Sequence, residues 1–237
     1  MFSLILPVYN CSSETNQSLP ILADRLSRQG ILFEIIVVDD HSREPFKLHN
    51  SDLTAVCRLV RNEKNYGKGY SVRKGFSLAR GSLILFMDGD FPFDLEGVDR
   101  MIEAFKNPKT DIVIGDRSLP LSAYPAITTP IRKIGSNILS FFATRFITPG
   151  YSDTQCGIKG FRKEIADQIF PFCVVDGFSF DVEILFIAIK KKFNIVKIPV
   201  KAIKQPSSNV NPLYHGLEML MNIGRIYIKN WRGDYQR

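Results

Sequence analysis

An acid-glycine-acid sequence, Asp88-Gly89-Asp90, directly follows the apolar run Leu83–Met87. Ligands of open α/β sheets gather at the carboxyl ends of the strands, which is where this tripeptide would lie. Mg²⁺ or Mn²⁺ prefers one or two carboxylates and completes its shell with water and substrate phosphates. A cation on Asp88 and Asp90 would neutralise a departing diphosphate, and Gly89 would let the backbone approach the ligand closely. The alternative is that the tripeptide is only a turn, because Asp and Gly are common turn residues.

Polar side chains also follow two earlier apolar runs of the chain. The first run ends in Pro7, Tyr9 and Asn10, and the second ends in Asp39 and Asp40. Neighbouring parallel strands end at the same edge of a sheet, so these residues are predicted to lie near the acidic tripeptide. Asp40 is predicted to accept hydrogen bonds from a nucleobase or a ribose.

A basic, glycine-bearing segment at residues 61–69 opens a predicted helix and contains Gly67 and Lys68. The first N–H groups of a helix have no partner within the helix, so they and Lys68 suit a phosphate group. The alternative is an ordinary turn followed by a solvated lysine.

Short apolar runs rich in β-branched residues alternate with segments of helical spacing in the first half of the chain. The predicted strands are residues 2–8, 33–39, 55–60, 82–88 and 111–115, and the predicted helices are residues 15–29, 68–79 and 95–105. Asp94 is expected to cap the last of these helices. This alternation predicts an α/β fold with a doubly wound, mostly parallel sheet of the Rossmann type.

The second half of the chain begins with a proline-rich segment, residues 118–130, which is predicted to be a loop. Helical spacing follows at residues 131–146, 163–169 and 180–192, and a strand pattern follows at residues 194–200. The last helix is predicted at residues 213–230. No zinc finger, helix-turn-helix or aromatic RNA-binding signature is recognisable, so no nucleic-acid partner is expected.

Length and composition limit the class of protein. A chain of 237 residues suffices for one α/β domain with a terminal appendage, and 45% hydrophobic residues argue against disorder. The four cysteines form no C-x-x-C pair, which suits reduced thiols in the cytoplasm. No secretory leader or membrane-spanning stretch is expected from the sequence. The net charge of +7 suits a polyanionic ligand or an anionic membrane surface.

The C-terminal segment has the pattern of an amphipathic helix. Its apolar positions form one stripe: Leu213, Leu217, Leu220, Met221, Gly224, Tyr227 and Ile228. Two interpretations remain open from the sequence. The stripe packs on the protein's own core, or it lies at a membrane interface beside Trp231 and a basic end formed by Arg225, Lys229, Arg232 and Arg237.

In this order and spacing the motifs resemble the family 2 glycosyltransferases of the GT-A fold, over nearly the whole chain. Within that family they are most similar to the polyprenyl-phosphate sugar transferases of the dolichyl-phosphate glucosyltransferase type. Besides the acidic tripeptide, the resemblance rests on residues 58–80, on Gly115-Asp116-Arg117-Ser118, on residues 153–162 and on residues 178–183. The run Asp153-Thr154-Gln155-Cys156-Gly157 is the most specific of these.

The resemblance implies a role for each matching residue. The nucleotide sugar would contact Pro7, Tyr9, Asn10, Asp39, Asp40, Gly67, Lys68, Asp88 and Gly89. Asp88 and Asp90 would hold the metal, and Arg117 and Arg132 would bind the acceptor's phosphate. Asp88, Asp90, Asp153 and Asp181 are the candidate catalytic residues, although acids before or within a helix are often caps or solvated groups.

The resemblance also implies an activity. A catalytic domain at residues 1–210 and a C-terminal helix at residues 211–237 would transfer a hexose, with inversion, to a polyprenyl phosphate. The cofactor would be Mg²⁺ or Mn²⁺, and the donor would be UDP-glucose, with GDP-mannose as the second choice. Such an enzyme would act in the cytoplasm, peripherally on the membrane face. The alternatives are a family 2 transferase with a glycan, lipid or small-molecule acceptor, and a non-catalytic module that binds nucleotide sugars.

Overall fold

The structure is a computed structural model, and it describes residues 1–123, 147–203 and 212–235 of the chain. Within these ranges seven strands form one sheet in the order β3-β2-β1-β4-β6-β5-β7. They are β1 (Phe2–Val8), β2 (Phe33–Asp39), β3 (Cys57–Arg61), β4 (Leu83–Met87), β5 (Ile112–Asp116), β6 (Ile158–Arg162) and β7 (Ile195–Pro199). All strand pairs are parallel except those of β6, which runs antiparallel to both β4 and β5. The predicted mostly parallel sheet is therefore confirmed.

Helices cover both faces of this sheet. They are α1 (Ser12–Arg28), α2 (Lys68–Leu78), α3 (Glu96–Ala104), α4 (Lys163–Ile169), α5 (Phe180–Lys190) and α6 (Pro212–Trp231). The alternation of side chains along each strand supplies the two cores. Ile5 of β1 packs in the core under α2, α4 and α5, whereas Leu4 and Leu6 pack in the core under α1 and α3. This two-sided burial is the doubly wound α/β arrangement that the alternating pattern predicted.

Strand β6 was missed by the sequence analysis. Its sequence, Ile-Lys-Gly-Phe-Arg, is short and interrupted by charge and glycine, so it lacks the apolar run on which the other strands were predicted. Lys159 is nevertheless fully buried, and its ammonium pairs with the buried Asp181 of α5. Backbone pairing with β4 and β5 makes this segment a central strand, and Asp181, 22 residues along the chain, balances the charge that is buried there.

Most other boundaries agree with the prediction within a few residues, but the expected cap of α3 is wrong. Leu95, not Asp94, precedes the helix, and no side chain in the described part of the chain caps it. The carboxylate of Asp94 is instead paired with Arg100, one and a half turns into the helix. The loop predicted at residues 118–130 is described only to residue 123, and the helix predicted at residues 131–146 lies outside the described residues.

Helix α6 packs on the core with the side opposite to its apolar stripe. Ile226 is 1% exposed and the polar Asn222 is 5% exposed, whereas the stripe residues Met221 and Ile228 are 58% and 52% exposed. Trp231 is 88% exposed. Packing of the stripe on the core, one of the two interpretations open from the sequence, is therefore wrong for the stripe residues whose side chains are described. None of the helices in the described ranges is long and apolar enough to cross a membrane.

Candidate functional site

The strand ends bring the predicted site residues to one edge of the sheet. Asp40, after β2, is joined to the end of β1 by a hydrogen bond from its N–H to Val8 O, 2.8 Å long. Asp88, after β4, donates its N–H to Gly157 O at 3.0 Å. Because β6 is antiparallel, its first residues begin at the same edge at which the parallel strands end. The predicted residues from four separate sequence segments are thus neighbours.

The ammonium of Lys68, at the start of α2, lies 2.5 Å from Asp88 Oδ1. Both side chains are largely sheltered, with exposures of 14% for Lys68 and 28% for Asp88. Although Oδ1 of Asp88 is buried and has this ion-pair partner, no donor in the described part of the chain is aligned to hydrogen bond with it. A sheltered carboxylate oxygen without an aligned donor keeps lone pairs available for a cation.

The Asp88 carboxylate lies against the backbone of Gly157. A Cβ atom on Gly157 would be 1.9 Å from Asp88 Oδ2, far inside van der Waals contact. Any other residue at this position would displace the carboxylate, which is the end of a side chain and can rotate away. The lack of a side chain at Gly157 therefore leaves the space that the Asp88 carboxylate occupies. This is a physical reason for a glycine at the end of the run at residues 153–157.

Behind Asp88 lies a second ion pair that is entirely buried. Lys159 Nζ donates to Asp181 Oδ1 at 2.6 Å and to Cys156 O at 2.8 Å. Asp181 is 2% exposed, so its carboxylate is enclosed by protein and held by Lys159. The direct role of Asp181 in catalysis remains a prediction. The structure shows a buried ion pair, Lys159–Asp181, beside the Lys68–Asp88 pair.

The pKa values of Lys68 and Asp181 are shifted by burial and by the charges around them. Burial acts to lower the pKa of Lys68, but Asp88, Asp181 and Asp90 outweigh it and the pKa is raised above its usual value. Lys68 is therefore cationic at neutral pH. Burial raises the pKa of Asp181, and the neighbouring cations Lys159 and Lys68 oppose this shift.

Asp40 holds the segment that leads into α2. Its Oδ1 accepts hydrogen bonds from Asn62 Nδ2 at 2.7 Å and from Tyr66 N at 3.0 Å, and its Oδ2 accepts from Gly67 N at 2.8 Å. The side chain is buried. Asp40 therefore determines the path of the chain that delivers Lys68 to Asp88, whether or not it also contacts a nucleoside.

The start of α2 corrects one expectation from the sequence. The N–H groups of Gly69 and Tyr70 both donate to Asp176 O, at 2.6 and 3.3 Å, so these two are not available to a phosphate. Gly67 has a φ of 101°, and a Cβ there would also stand 2.5 Å from Asp176 O. The Asp176 carbonyl thus takes two of the N–H groups that the prediction gave to a phosphate, whereas the ammonium of Lys68 lies at the acidic tripeptide.

The other residues predicted to contact the nucleotide differ in exposure. Tyr9 is 52% exposed at the site edge, and Pro7 lies in β1 beside Val38. Asn10 has a φ of 55° and its Oδ1 accepts from Arg43 N at 2.9 Å. Tyr9 is therefore the side chain of this group that offers the largest open surface to a ligand.

Asp39 is fully engaged by its own protein. Its Oδ1 accepts from Ser42 N at 2.8 Å, and its Oδ2 accepts from Phe46 N at 3.1 Å and from Arg61 Nη1 at 2.5 Å. Burial acts to raise the pKa of Asp39, but these hydrogen bonds and Arg61 together lower it. Its role in nucleotide binding remains a prediction, and the contacts present shape the loop after β2.

Gly89 and Asp90 complete the acidic tripeptide. Thr15 Oγ1 donates to Gly89 O at 2.7 Å, which ties the tripeptide to α1. Gly89 packs against Pro7 and Val8, so the close approach it permits is to β1.

In the described ranges no three His, Cys, Asp or Glu side chains are grouped to hold a metal. Two carboxylates and a diphosphate are nevertheless a donor set that suits Mg²⁺ or Mn²⁺, and the unaligned Asp88 Oδ1 fits it.

Arg117 and Asp153, which were predicted to have separate roles, form one ion pair. Arg117 Nε donates to Asp153 Oδ2 at 2.8 Å and Nη2 donates to Oδ1 at 2.6 Å, while Arg117 N also donates to Oδ2 at 2.7 Å. The negative charge of Asp153 is thereby balanced, and the guanidinium group of Arg117 is held in one orientation. Arg132 lies outside the described residues.

The sequence analysis assigned no role to several residues on which this geometry depends. Lys159 was detectable in principle, because a lysine between Ile158 and Phe161 is unusual in a buried strand. Thr15 and Asn62 gave no local signal, since their contacts lie 74 and 22 residues away along the chain.

Comparison with known proteins gives a consistent result. The sequence profile described as glycosyl transferase family 2 matches residues 3–170. Dolichyl-phosphate beta-glucosyltransferase of Saccharomyces cerevisiae is 32% identical over 229 residues, a match that covers 84% of this chain and 65% of the yeast protein. The Dictyostelium discoideum protein of the same name is 31% identical over 249 residues, covering 99% of this chain and 76% of the relative. The human protein of that name is 30% identical, with coverages of 92% and 72%.

Solved structures with a similar fold are much more distant in sequence. Glucosyl-3-phosphoglycerate synthase from Mycobacterium tuberculosis, in complex with Mn²⁺, UDP-glucose and phosphoglyceric acid, superposes with a TM-score of 0.69 at 13% identity. The match covers 95% of this chain and 79% of that chain. Mannosyl-3-phosphoglycerate synthase from Rubrobacter xylanophilus has a TM-score of 0.66 at 16% identity, with coverages of 94% and 72%. At these identities the likeness establishes the fold.

Proposed function

Because the chain belongs to glycosyl transferase family 2, we propose that it transfers a glucosyl group from UDP-glucose to a polyprenyl phosphate of the dolichyl type. The observation that carries the donor half is the ion pair between Lys68 and Asp88 at the carboxyl edge of the sheet. The names of the relatives carry the acceptor half. The chain spans 65% of the length of the yeast relative, so the acceptor is assigned here by similarity together with the features below.

The diphosphate of the donor is proposed to meet Asp88, Asp90 and Lys68. Asp88 and Asp90 would hold Mg²⁺ or Mn²⁺, and the cation would neutralise the charge that develops on the departing nucleoside diphosphate. Lys68, which stays protonated at neutral pH, adds a second positive charge at the same place. Tyr9 and Pro7 offer the open surface for the nucleoside, and Asp40 keeps the Lys68 segment in position.

The acceptor is proposed to supply the nucleophile itself. A phosphomonoester has its second pKa near 6, so a polyprenyl phosphate is largely a dianion at neutral pH. One of its oxygens forms a bond to the anomeric carbon as the bond from that carbon to the donor phosphate breaks, with inversion. No proton has to be removed from this nucleophile, so no strong general base is required. Orientation is required, and Arg117 held by Asp153 is the described group suited to it.

The exposed side of α6 supports an acceptor that lies in a membrane. Met221, Ile228 and Trp231 share this side with the exposed Arg225 and Arg232. Apolar side chains next to arginines match the acyl boundary and the anionic headgroups of a bilayer. We therefore assign the exposed side of α6 to the surface of an anionic membrane and the enzyme to a peripheral position on its cytoplasmic face.

The deciding experiment follows radiolabelled sugar into an organic extract. Purified protein, Mn²⁺ and either labelled UDP-glucose or labelled GDP-mannose are incubated with a polyprenyl phosphate, with phosphoglyceric acid or with no acceptor. Label that enters the organic phase only with UDP-glucose and polyprenyl phosphate supports the proposal. Label transferred to phosphoglyceric acid instead would assign a small phosphorylated acceptor, and organic label from GDP-mannose would overturn the donor.

A further inference from the structure

Glu183 of α5 is a fully buried carboxylate that none of the steps above uses. Its Oε2 accepts hydrogen bonds from two consecutive backbone groups, Val174 N at 2.9 Å and Val175 N at 2.8 Å. Its Oε1 accepts from the phenol of Tyr235 at 2.7 Å. No lysine or arginine of the described ranges forms a salt bridge with it. A buried carboxylate is costly without partners, and these three neutral donors are what stabilise it.

The segment that Glu183 holds is the one against which α2 begins. Val175 O accepts from Arg73 Nη1 at 2.7 Å, and Asp176 O accepts from Gly69 N at 2.6 Å. Arg73 also pairs with the carboxylate of Asp176. The carbonyl group of Asp176, which also accepts from Tyr70 N, takes the place of a capping side chain, because no side chain of the described residues caps α2.

The first residue of α2 is Lys68, whose ammonium pairs with Asp88. A continuous set of contacts therefore runs from Tyr235 through Glu183 to residues 174–176, then to the first turn of α2 and Asp88. Gly69 leaves little room for adjustment, because a Cβ there would be 2.4 Å from Val175 O. A shift of residues 174–176 must consequently move the start of α2.

We propose that Glu183 is a positioning residue for the donor site, acting through residues 174–176 to place Lys68 beside Asp88. Tyr235 completes the carboxylate's hydrogen bonds and thereby joins the segment after α6 to the same site. The proposal rests on the proposed function only in giving Lys68 and Asp88 a role in catalysis. A displacement of about 1 Å at a catalytic group can cost on the order of a hundredfold in rate. A residue that places Lys68 without touching the substrate can therefore affect the rate strongly.

The first test does not depend on activity. Hydrogen exchange of the backbone amides of residues 67–71 is measured in the wild type, in Glu183→Ala and in the milder Tyr235→Phe. We expect tenfold or faster exchange in Glu183→Ala and a smaller increase in Tyr235→Phe. Glu34→Ala is the matched control, because the carboxylate of Glu34 also accepts a hydrogen bond from a backbone group, Arg80 N at 2.7 Å. Glu34 lies at the start of β2, at the end of the strands opposite to the candidate site. Unchanged exchange in both Glu183→Ala and Tyr235→Phe would overturn the proposal, as would an equal increase in the control.

The second test is a double-mutant cycle with Lys68→Met. If Glu183 acts through Lys68, Glu183→Ala should lower kcat tenfold or more in the wild type but less than twofold in the Lys68→Met background. A purely structural Glu183 would lower kcat by the same factor in both. Tyr235→Phe is run through the same cycle, so that a Glu183→Ala variant that fails to fold leaves the test intact.

A conservative variant separates hydrogen bonding from charge. In Glu183→Gln the amide oxygen can still accept from Val174 N and Val175 N, while the NH₂ group donates to the phenol oxygen of Tyr235. We expect kcat within about threefold of the wild type, whereas a loss as large as that of Glu183→Ala would count against positioning. If the wild type transfers no sugar at all, the proposed function fails, and the exchange experiment still decides whether Glu183 orders the start of α2.

Discussion

Arg117 and Asp153 are joined by two parallel hydrogen bonds, Nε to Oδ2 at 2.8 Å and Nη2 to Oδ1 at 2.6 Å. The first follows β5 and the second precedes β6, so the pair also ties together two adjacent strands of the sheet. Lysine has no planar fork and could not make both bonds at once. The arginine is therefore required by the protein itself, before any acceptor is considered.

Arg117→Lys should lower transfer to polyprenyl phosphate at least tenfold at saturating donor, equivalent to about 1.4 kcal/mol. The slow hydrolysis of UDP-glucose in the absence of acceptor should stay unchanged, which places the loss on the acceptor side.

If Asp153 acts only by holding Arg117, Asp153→Asn should cost no more than Arg117→Lys, and the double variant should show much less than the product of the two effects. A far larger loss in Asp153→Asn would instead favour direct participation of that carboxylate.

Asp90→Asn should keep the fold and lose metal-dependent turnover, because an amide oxygen is neutral and cannot offset the charge of the cation. The measurement is the transfer rate against Mn²⁺ concentration, together with the unfolding temperature of the variant. Wild-type protein that works at full rate in EDTA would refute the assignment of Asp88 and Asp90 as metal ligands.

Gly157→Ala should be folded but nearly inactive. The added methyl group would stand 1.9 Å from Asp88 Oδ2, and rotation of that carboxylate is the easiest relief. We expect a loss of at least a hundredfold in kcat with a change in unfolding free energy of less than about 3 kcal/mol. Gly97→Ala in α3 is the matched control, because its new methyl would meet other atoms only at 3.7 Å or beyond. If Gly157→Ala keeps normal turnover, the position of Asp88 is not critical.

Asp40→Ala should raise the donor KM by removing the proposed contact to the nucleoside, and it should also lower kcat by displacing Lys68. The variant leaves Tyr66 N and Gly67 N without an acceptor, so the Lys68 segment loses its anchor before the substrate arrives. The unfolding free energy should fall by about 1–3 kcal/mol from the unsatisfied groups. Donor titration followed by thermal shift separates the two effects, since ligand binding stabilises the folded state in proportion to affinity. An unchanged kcat would contradict the role of Asp40 in placing Lys68, and an unchanged donor KM would contradict the contact to the nucleoside.

Ile228→Ser should weaken binding to vesicles that contain anionic lipid, because burial of one such side chain is worth roughly 1.5–3 kcal/mol, a tenfold change or more. Arg225→Gln and Arg232→Gln should weaken it by about 1 kcal/mol each, and added salt should abolish that part. Ile21→Ser is the matched control, because Ile21 is 61% exposed on α1, away from the exposed side of α6. Equal binding of Ile228→Ser and the wild type would remove the support that α6 gives to a membrane acceptor.

The sequence alone predicted the mostly parallel sheet and the edge at which the candidate site residues gather. The runs of β1, β2 and β4 are mostly apolar because parallel strands are buried on both faces, and the polar residues at their carboxyl ends gather at one edge of the sheet. This reasoning correctly placed Asp40 and Asp88 at one edge. It depends only on local periodicity and on the common direction of parallel strands.

Contacts between distant segments were decided by the tertiary structure. Pairing with β4 and β5 makes a charged segment into strand β6, where Asp181 balances the buried charge of Lys159. Likewise, Asp176 O accepts from two N–H groups of α2 that the sequence offered to a phosphate. The exposed side of α6 was equally undetermined, because periodicity shows that a helix has two faces but not which one the core will accept. In each case the free energy depends on a partner that folding alone brings within hydrogen-bonding or van der Waals distance.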